Sequence, residues 1–308
     1  MKLRNILITA AAVGFMFASA NRVGVVGYSA GDYSDMDTYP HMAAGQNVAY
    51  TMGNDFTAVW SDNGTTWGFS RNNENSAELV NMKWSNGTYG VAFGLNMDSG
   101  TAATGGAAEV AGETTMNLGF GMNLAGWDMG FSMDTAEGGP MELNARGALG
   151  FWAFDTMTFA YAAGGTAAAN NEYTTIDINM YGVKDWGAAT GMFAMGFENT
   201  NAFNGATLFN TGNTDAISLL TTGFSVESTL TDWCDLRIGY DTKFNLAAEV
   251  GGVESWDSYS AGVGFNYGSV QLDMVLTDLG AMVTNPIHYL NGRNSTALST
   301  MWTLSYTW

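Results

Sequence analysis

The sequence predicts an all-β chain, a transmembrane up-and-down antiparallel β-barrel of about 16 strands, and three observations lead to it. The composition is rich in glycine and aromatics but poor in charge. Apolar and small or polar residues alternate with period two through most of the chain. Tight turns alternate with long polar connections.

Among 308 residues there are 40 Gly, only 3 Pro, 13% aromatic and 13% charged residues. That charge content is about half of what a soluble domain carries. Mean hydropathy is −0.01, too low for a bundle of apolar membrane helices. After Ala20 no stretch offers eighteen uninterrupted apolar residues, so any part embedded in lipid has to be built from strands.

The chain opens with "MKLRNILITAAAVGFMFASA": basic residues Lys2 and Arg4, an apolar run from Ile6 to Phe17, and small residues at Ala18 and Ala20. This is the pattern of a cleaved secretory signal, residues 1–20. Residues 21–46 carry no strand alternation and read as an N-terminal periplasmic or plug-like segment. Residues 47–308 read as the barrel. Cys234 is alone, so no intrachain disulfide can form.

The barrel elements follow in order. A first strand falls near Asn47–Met52, and "SDNGTT" supplies a hairpin turn at 61–64. "ELVNMKW" and "TYGVAFGLNM" flank Asn86-Gly87. "TTMNLGFGMN" sets Met116, Leu118, Phe120 and Met122 on one face, and after the turn Leu124–Gly126 "WDMGFSMD" repeats the pattern. Further tight turns are expected at 154–156, 185–187, 231–233 and 267–268. "IDINMYGVK", "CDLRIGYDTKF" and "YSAGVGFNYGSVQLDMVL" are the strands around them. Longer segments at 98–111, 199–214 and 278–296 lie between hairpins. Seven tight turns give fourteen strands, and the first strand with the last, "STMWTLSYTW", brings the number to sixteen. Fourteen is the alternative if the two ends are excluded.

The last strand alternates Trp302, Leu304, Tyr306 and Trp308 against Thr303, Ser305 and Thr307. Paired with the first strand it would remove the free edge. With these residues the chain resembles bacterial outer-membrane β-barrels of the porin type. Their C-terminal strand ends in an aromatic that the assembly machinery reads, which the resemblance places on Leu304, Tyr306 and Trp308. The stretch "GVGFNYGSVQLDM" is also similar to late hairpins of FadL-type transporters of hydrophobic compounds.

Charge carries the functional expectation. Removing Lys2 and Arg4 leaves 8 of the 10 basic residues against 29 acidic ones, a net charge of −21. Charges facing lipid are costly, so they sort into lumen and loops. Parity places Lys83, Asp128, Glu142, Arg146, Asp177, Asp235, Arg237, Asp241, Lys243 and Asp273 on the inner face as pore-lining candidates. Two arrangements suit this mixture: a wet channel, or an interior filled by salt bridges. The long loops carry Asp98, Glu109, Glu137, Glu172, Glu198, Glu249, Glu254 and Asp278 against chiefly Arg293, which predicts a negative outer mouth.

Other chemistries have little support. His41 and His288 stand in no nucleophile motif, so no enzymatic activity is expected. "DYSDMD" groups Asp32, Asp35 and Asp37 but lacks the glycine and distal Glu of a calcium loop, and it reads as a solvated acidic segment with no metal. No cofactor is expected, and the charge sign excludes nucleic acid as a natural partner. The sequence therefore predicts a bacterial outer-membrane channel for passive diffusion of small hydrophilic solutes, cation-preferring. Its expected partners are outer-membrane lipid, lipopolysaccharide and the assembly machinery; oligomeric state is left open. Two alternatives stand beside it: a FadL-like transporter of hydrophobic compounds, and a non-conducting structural or secretion-associated barrel.

Overall fold

The structure is a computed structural model that describes residues 20–28, 33–52, 55–72, 75, 77–100, 111–166, 172–202, 217–246, 255–276 and 300–308. It opens with a short helix α1 (Ala20–Val26) and two 3-10 turns, Tyr33–Asp35 and Pro40–Ala43. Sixteen strands follow: β1 (Val48–Met52), β2 (Asp55–Asp62), β3 (Thr65–Asn72), β4 (Glu78–Ser85), β5 (Tyr89–Met97), β6 (Thr114–Leu124), β7 (Trp127–Asp134) and β8 (Met141–Phe151), then β9 (Phe154–Gly164), β10 (Tyr173–Asp185), β11 (Ala189–Ala202), β12 (Ile217–Thr231), β13 (Cys234–Asn245), β14 (Ser255–Tyr267), β15 (Val270–Leu276) and β16 (Thr300–Thr307).

Every strand pairs antiparallel with its sequence neighbours, and β1 closes on β16 through Val48–Thr307 to Met52–Thr303. The backbone is thus hydrogen-bonded around the whole circumference, the condition for crossing hydrocarbon with strands. Seven tight turns gather at one end of the barrel, here the turn end, and the other connections, all but the one between β1 and β2 longer, at the other, the loop end. The sequence makes those turns locally. Asn63 and Gly64 take positive φ of 50° and 80°, the pair of left-handed residues that a two-residue hairpin needs.

Two expected boundaries differ. The turn between β8 and β9 lies at Trp152 and Ala153, not 154–156. Gly150 and Trp152 already have positive φ there and the register shifts between Ala148 and Phe151, so the chain reverses earlier. The loop expected from 199 begins later, because β11 keeps pairing with β12 to Thr200 and with β10 to Ala202. Glu198 is therefore a strand residue and not part of the outer mouth.

The outer wall is apolar. Trp60, Trp67, Trp152, Trp186, Trp233, Tyr267, Tyr306 and Trp308 are exposed near the turn end, where amphipathic rings suit a membrane interface. Phe120, Phe131 and Leu143 continue the exposed apolar surface along neighbouring strands. Parity makes a simple test. Arg at Phe120 should destabilise the barrel by about 2–4 kcal/mol if it lies near the bilayer midplane, while Arg at Asn117, on the inner face, should cost much less. Urea unfolding in lipid vesicles measures both, and equal losses would contradict the facing.

Inside the barrel lies the N-terminal segment. Val26 and Tyr28 pack with Tyr181 and Met192, while Tyr33, Met36 and Ala43 pack with Val48 and Val59. The wall is shaped for it: at Gly90 a Cβ would overlap the backbone of Pro40 and His41, so only glycine permits that approach. Ser85 Oγ donates to the His41 carbonyl at 2.8 Å beside it.

Candidate functional site: the charged barrel interior

Among the described residues, three groups of charges occupy the inner face. The first is built on β12, β13 and β15. Arg237 Nε donates to Glu227 Oε1 at 2.7 Å and Arg237 Nη1 to Asp273 Oδ1 at 2.5 Å. Arg22 of α1 completes it, with Nε 3.0 Å from both oxygens of Glu227 and Nη2 2.6 Å from Oε2. Arg237 and Asp273 are 2% and 1% exposed, so this is an ion network removed from water. Burial alone would weaken the Arg22 charge, and the bonds to Glu227 outweigh it, leaving its pKa raised.

The second group joins the 3-10 turns to β4, β7 and β8. Arg146 Nη1 donates to Asp35 Oδ2 at 2.8 Å and Nη2 to Asp128 Oδ2 at 3.1 Å, while His41 Nε2 lies 3.1 Å from Asp128 Oδ1. The Tyr39 ring stacks 5.0 Å from the Arg146 guanidinium carbon. Burial pushes the Tyr39 phenol up to about 12. Lys83 pairs with Asp37.

The third group lies toward the loop end and is wetter. Lys243 Nζ donates to Glu198 Oε2 at 2.8 Å. A cavity of about 560 Å³ opens between the N-terminal segment and the wall, lined among others by Asp177, Asn179, Glu198, Asp241 and Lys243.

The structure thus sets each sequence-derived candidate in the lumen but in different company. Lys83, Asp128, Arg146, Arg237 and Asp273 are tied in ion pairs, and three of those pairs reach into residues 35–41. Asp177, Asp241 and Lys243 face the cavity. Glu142 sits near the loop end beside Ser132 Oγ at 3.4 Å. Asp235 sits near the turn end, accepting from Thr229 Oγ1 at 2.9 Å and Asn266 Nδ2 at 2.8 Å.

The interior is neither uniformly wet nor uniformly filled. Its turn-end half is bridged by the chain's own N-terminal residues, and its loop-end half holds the cavity. Asp35, expected in a solvated acidic segment, is instead buried against Arg146. Sequence reasoning also missed Glu227, although Phe224 and Val226 on the opposite parity give it away. Asp32 and His288 lie outside the described residues.

Comparison with protein-family models and with curated proteins finds no match. Among solved structures, the chain is similar to a bacterial polysaccharide outer-membrane secretin, with TM-score 0.54 and 7% identity over 85% of this chain and 96% of that one. It is similar to a porin at TM-score 0.47 and 12% identity, covering 85% and 98% of the two chains. A loop-deleted OmpT of Vibrio cholerae gives TM-score 0.45 and 10% identity over 86% and 98%. At these identities the likeness concerns architecture. Strand number, closure and antiparallel order together give this chain the fold of the bacterial outer-membrane β-barrels.

Proposed function

We propose that the chain is an outer-membrane channel for passive diffusion of small hydrophilic solutes, with a preference for cations and without covalent chemistry of its own. The observation that carries this reading is the polar cavity at the loop-end half of a closed sixteen-strand barrel, lined by the four carboxylates of Asp35, Asp177, Glu198 and Asp241 against Arg146 and Lys243. A sixteen-strand barrel is wide enough to leave an aqueous lumen. Lipid and lipopolysaccharide would surround the apolar wall, and the assembly machinery would read Leu304, Tyr306 and Trp308. A net charge of −19 for the whole chain speaks against nucleic acid. An N-terminal segment inside the barrel also fits a transporter of hydrophobic compounds, but the cavity beside it is lined by charges.

The selectivity filter in this reading is Asp177 and Asp241, because Asp128 and Asp273 are already paired with arginines. Asp98, Glu137 and Glu172 add a negative field at the loop end, where they are exposed. Glu109, Glu249, Glu254, Asp278 and Arg293 lie outside the described residues. Refolded protein in planar bilayers under a salt gradient should give a cation-selective reversal potential that fades as salt rises and the Debye length falls below roughly 8 Å. The double variant Asp177→Asn, Asp241→Asn should reduce it markedly. Anion selectivity would overturn the preference, and absence of conductance in any variant would overturn the channel.

A further inference from the structure

The N-terminal residues meet the wall in two separate patches. Residues 33–47 run into β1 and are fastened by Asp35, Asp37 and His41 to β8, β4 and β7. Residues 20–28 lie against β12 to β16 at the turn end of the lumen, and beside the apolar contacts of Val26 and Tyr28 with Tyr181 and Met192 they are held by polar attachments. Asn21 Nδ2 donates to Thr303 Oγ1 at 2.9 Å. Ser225 Oγ donates to the Val26 carbonyl at 2.6 Å and Ser260 Oγ to the Val25 carbonyl at 3.3 Å. At Gly239 a Cβ would overlap that Val25 carbonyl, so the wall carries a slot cut to this stretch of backbone.

Arg22 is the charged attachment of this patch. Consider the wall with it withdrawn: Glu227 and Asp273 would share the single guanidinium of Arg237, and the group would carry one uncompensated negative charge in a nearly dry place. Arg22 supplies the missing cation through a fork on one carboxylate, Nε donating to Oε1 and Nη2 to Oε2, the bidentate geometry that recognises a guanidinium and that an ammonium or a sodium ion cannot reproduce. The wall therefore holds a formed guanidinium site, and the chain's own arginine fills it.

We propose that residues 21–28 are a displaceable gate across the turn end of the lumen, latched by Arg22 in the Glu227 site, and that guanidinium-bearing solutes open it by taking that site. This rests on the channel reading and names the solute class that the channel answers to. The displaced gate stays tethered, because residues 33–47 keep their own ion pairs. A tethered group competes with free solute at an effective concentration in the millimolar range, so guanidinium at roughly 10 mM is enough to shift the balance. No bond is made or broken; one guanidinium exchanges for another on Glu227.

The test compares three refolded proteins in planar bilayers: the full chain from residue 21, a chain lacking residues 21–28, and the full-length variant Arg22→Gln, each first checked for the heat-modifiable band shift of a closed barrel. Guanidinium chloride is titrated against sodium chloride at constant ionic strength. The full chain is expected to conduct weakly and to rise several-fold with guanidinium but not with sodium. The deletion should conduct several-fold more from the start, and neither it nor Arg22→Gln should gain further from guanidinium. Equal conductance of full chain and deletion would overturn the gate while leaving the channel standing. An open deletion beside a full chain that ignores guanidinium would overturn the latch and the solute class. Conductance by none of the three would overturn the channel reading, and the gate with it.

Discussion

Replacing Arg237 by Leu should destabilise the barrel by about 3–5 kcal/mol, the range for removing one partner of a buried ion pair. Arg237 is 2% exposed and holds two carboxylates at once, Glu227 at 2.7 Å and Asp273 at 2.5 Å. Glu227 would keep Arg22, but Asp273, itself 1% exposed, would lose the charge that faces it. The second carboxylate oxygen of Asp273 has no hydrogen-bond partner among the described residues, so nothing nearby is placed to take over. The double variant Arg237→Leu, Asp273→Leu should recover most of the loss, since an apolar pair of similar volume avoids the desolvation of both charges. Urea midpoints of the refolded proteins in vesicles measure the cycle. A single variant within about 1 kcal/mol of the parent would mean that water reaches this network and screens it, as it does a surface pair.

Deleting Tyr306 to Trp308 should abolish barrel formation altogether. These residues form the turn-end part of the seam: Tyr306 pairs with Ala49 on one side and Val270 on the other, and Thr307 N–H donates to the Ser269 carbonyl at 2.9 Å. The Trp308 N–H reaches the Asn47 carbonyl at 3.3 Å, and its ring stacks on Tyr306 with centroids 6.0 Å apart. Without them β1 and β15 would present unpaired backbone at the level of the membrane, and each unsatisfied group there costs several kcal/mol. The truncated chain should be exported but should yield no heat-modifiable band in the membrane fraction. A normal band from that chain would show that closure does not depend on the end of β16.

The strands were legible because their signal is local. Period-two alternation in segments such as "TTMNLGFGMN" fixes which side chains share a face, and Asn-Gly pairs fix where the chain reverses, without reference to any distant residue. For the same reason the luminal position of Arg237, Asp273 and Asp177 could be read from parity alone. The errors arose where local signal was weak. The turn after β8 uses Trp152 at positive φ, a residue that no turn preference singles out. The end of β11 depends on how far its two neighbours continue to pair, and this moved Glu198 from the mouth into the wall.

Composition, alternation and turn chemistry by themselves determined an antiparallel barrel of about sixteen strands with charges on its inner face; that the number is sixteen and not fourteen came with closure of β1 on β16. Only the tertiary structure decided which of those charges are spent on one another and which remain to act on solutes. Arg22 meets Glu227 across 205 positions of sequence, and Arg146 meets Asp35 across 111. Residues 21–46 show no period that could announce such contacts, because their places are set by the wall and not by their own pattern. Parity says that a side chain points into the lumen. Closure and strand stagger say how high it sits and what stands opposite, and that separates the arginine-paired Asp128 from the cavity-lining Asp177.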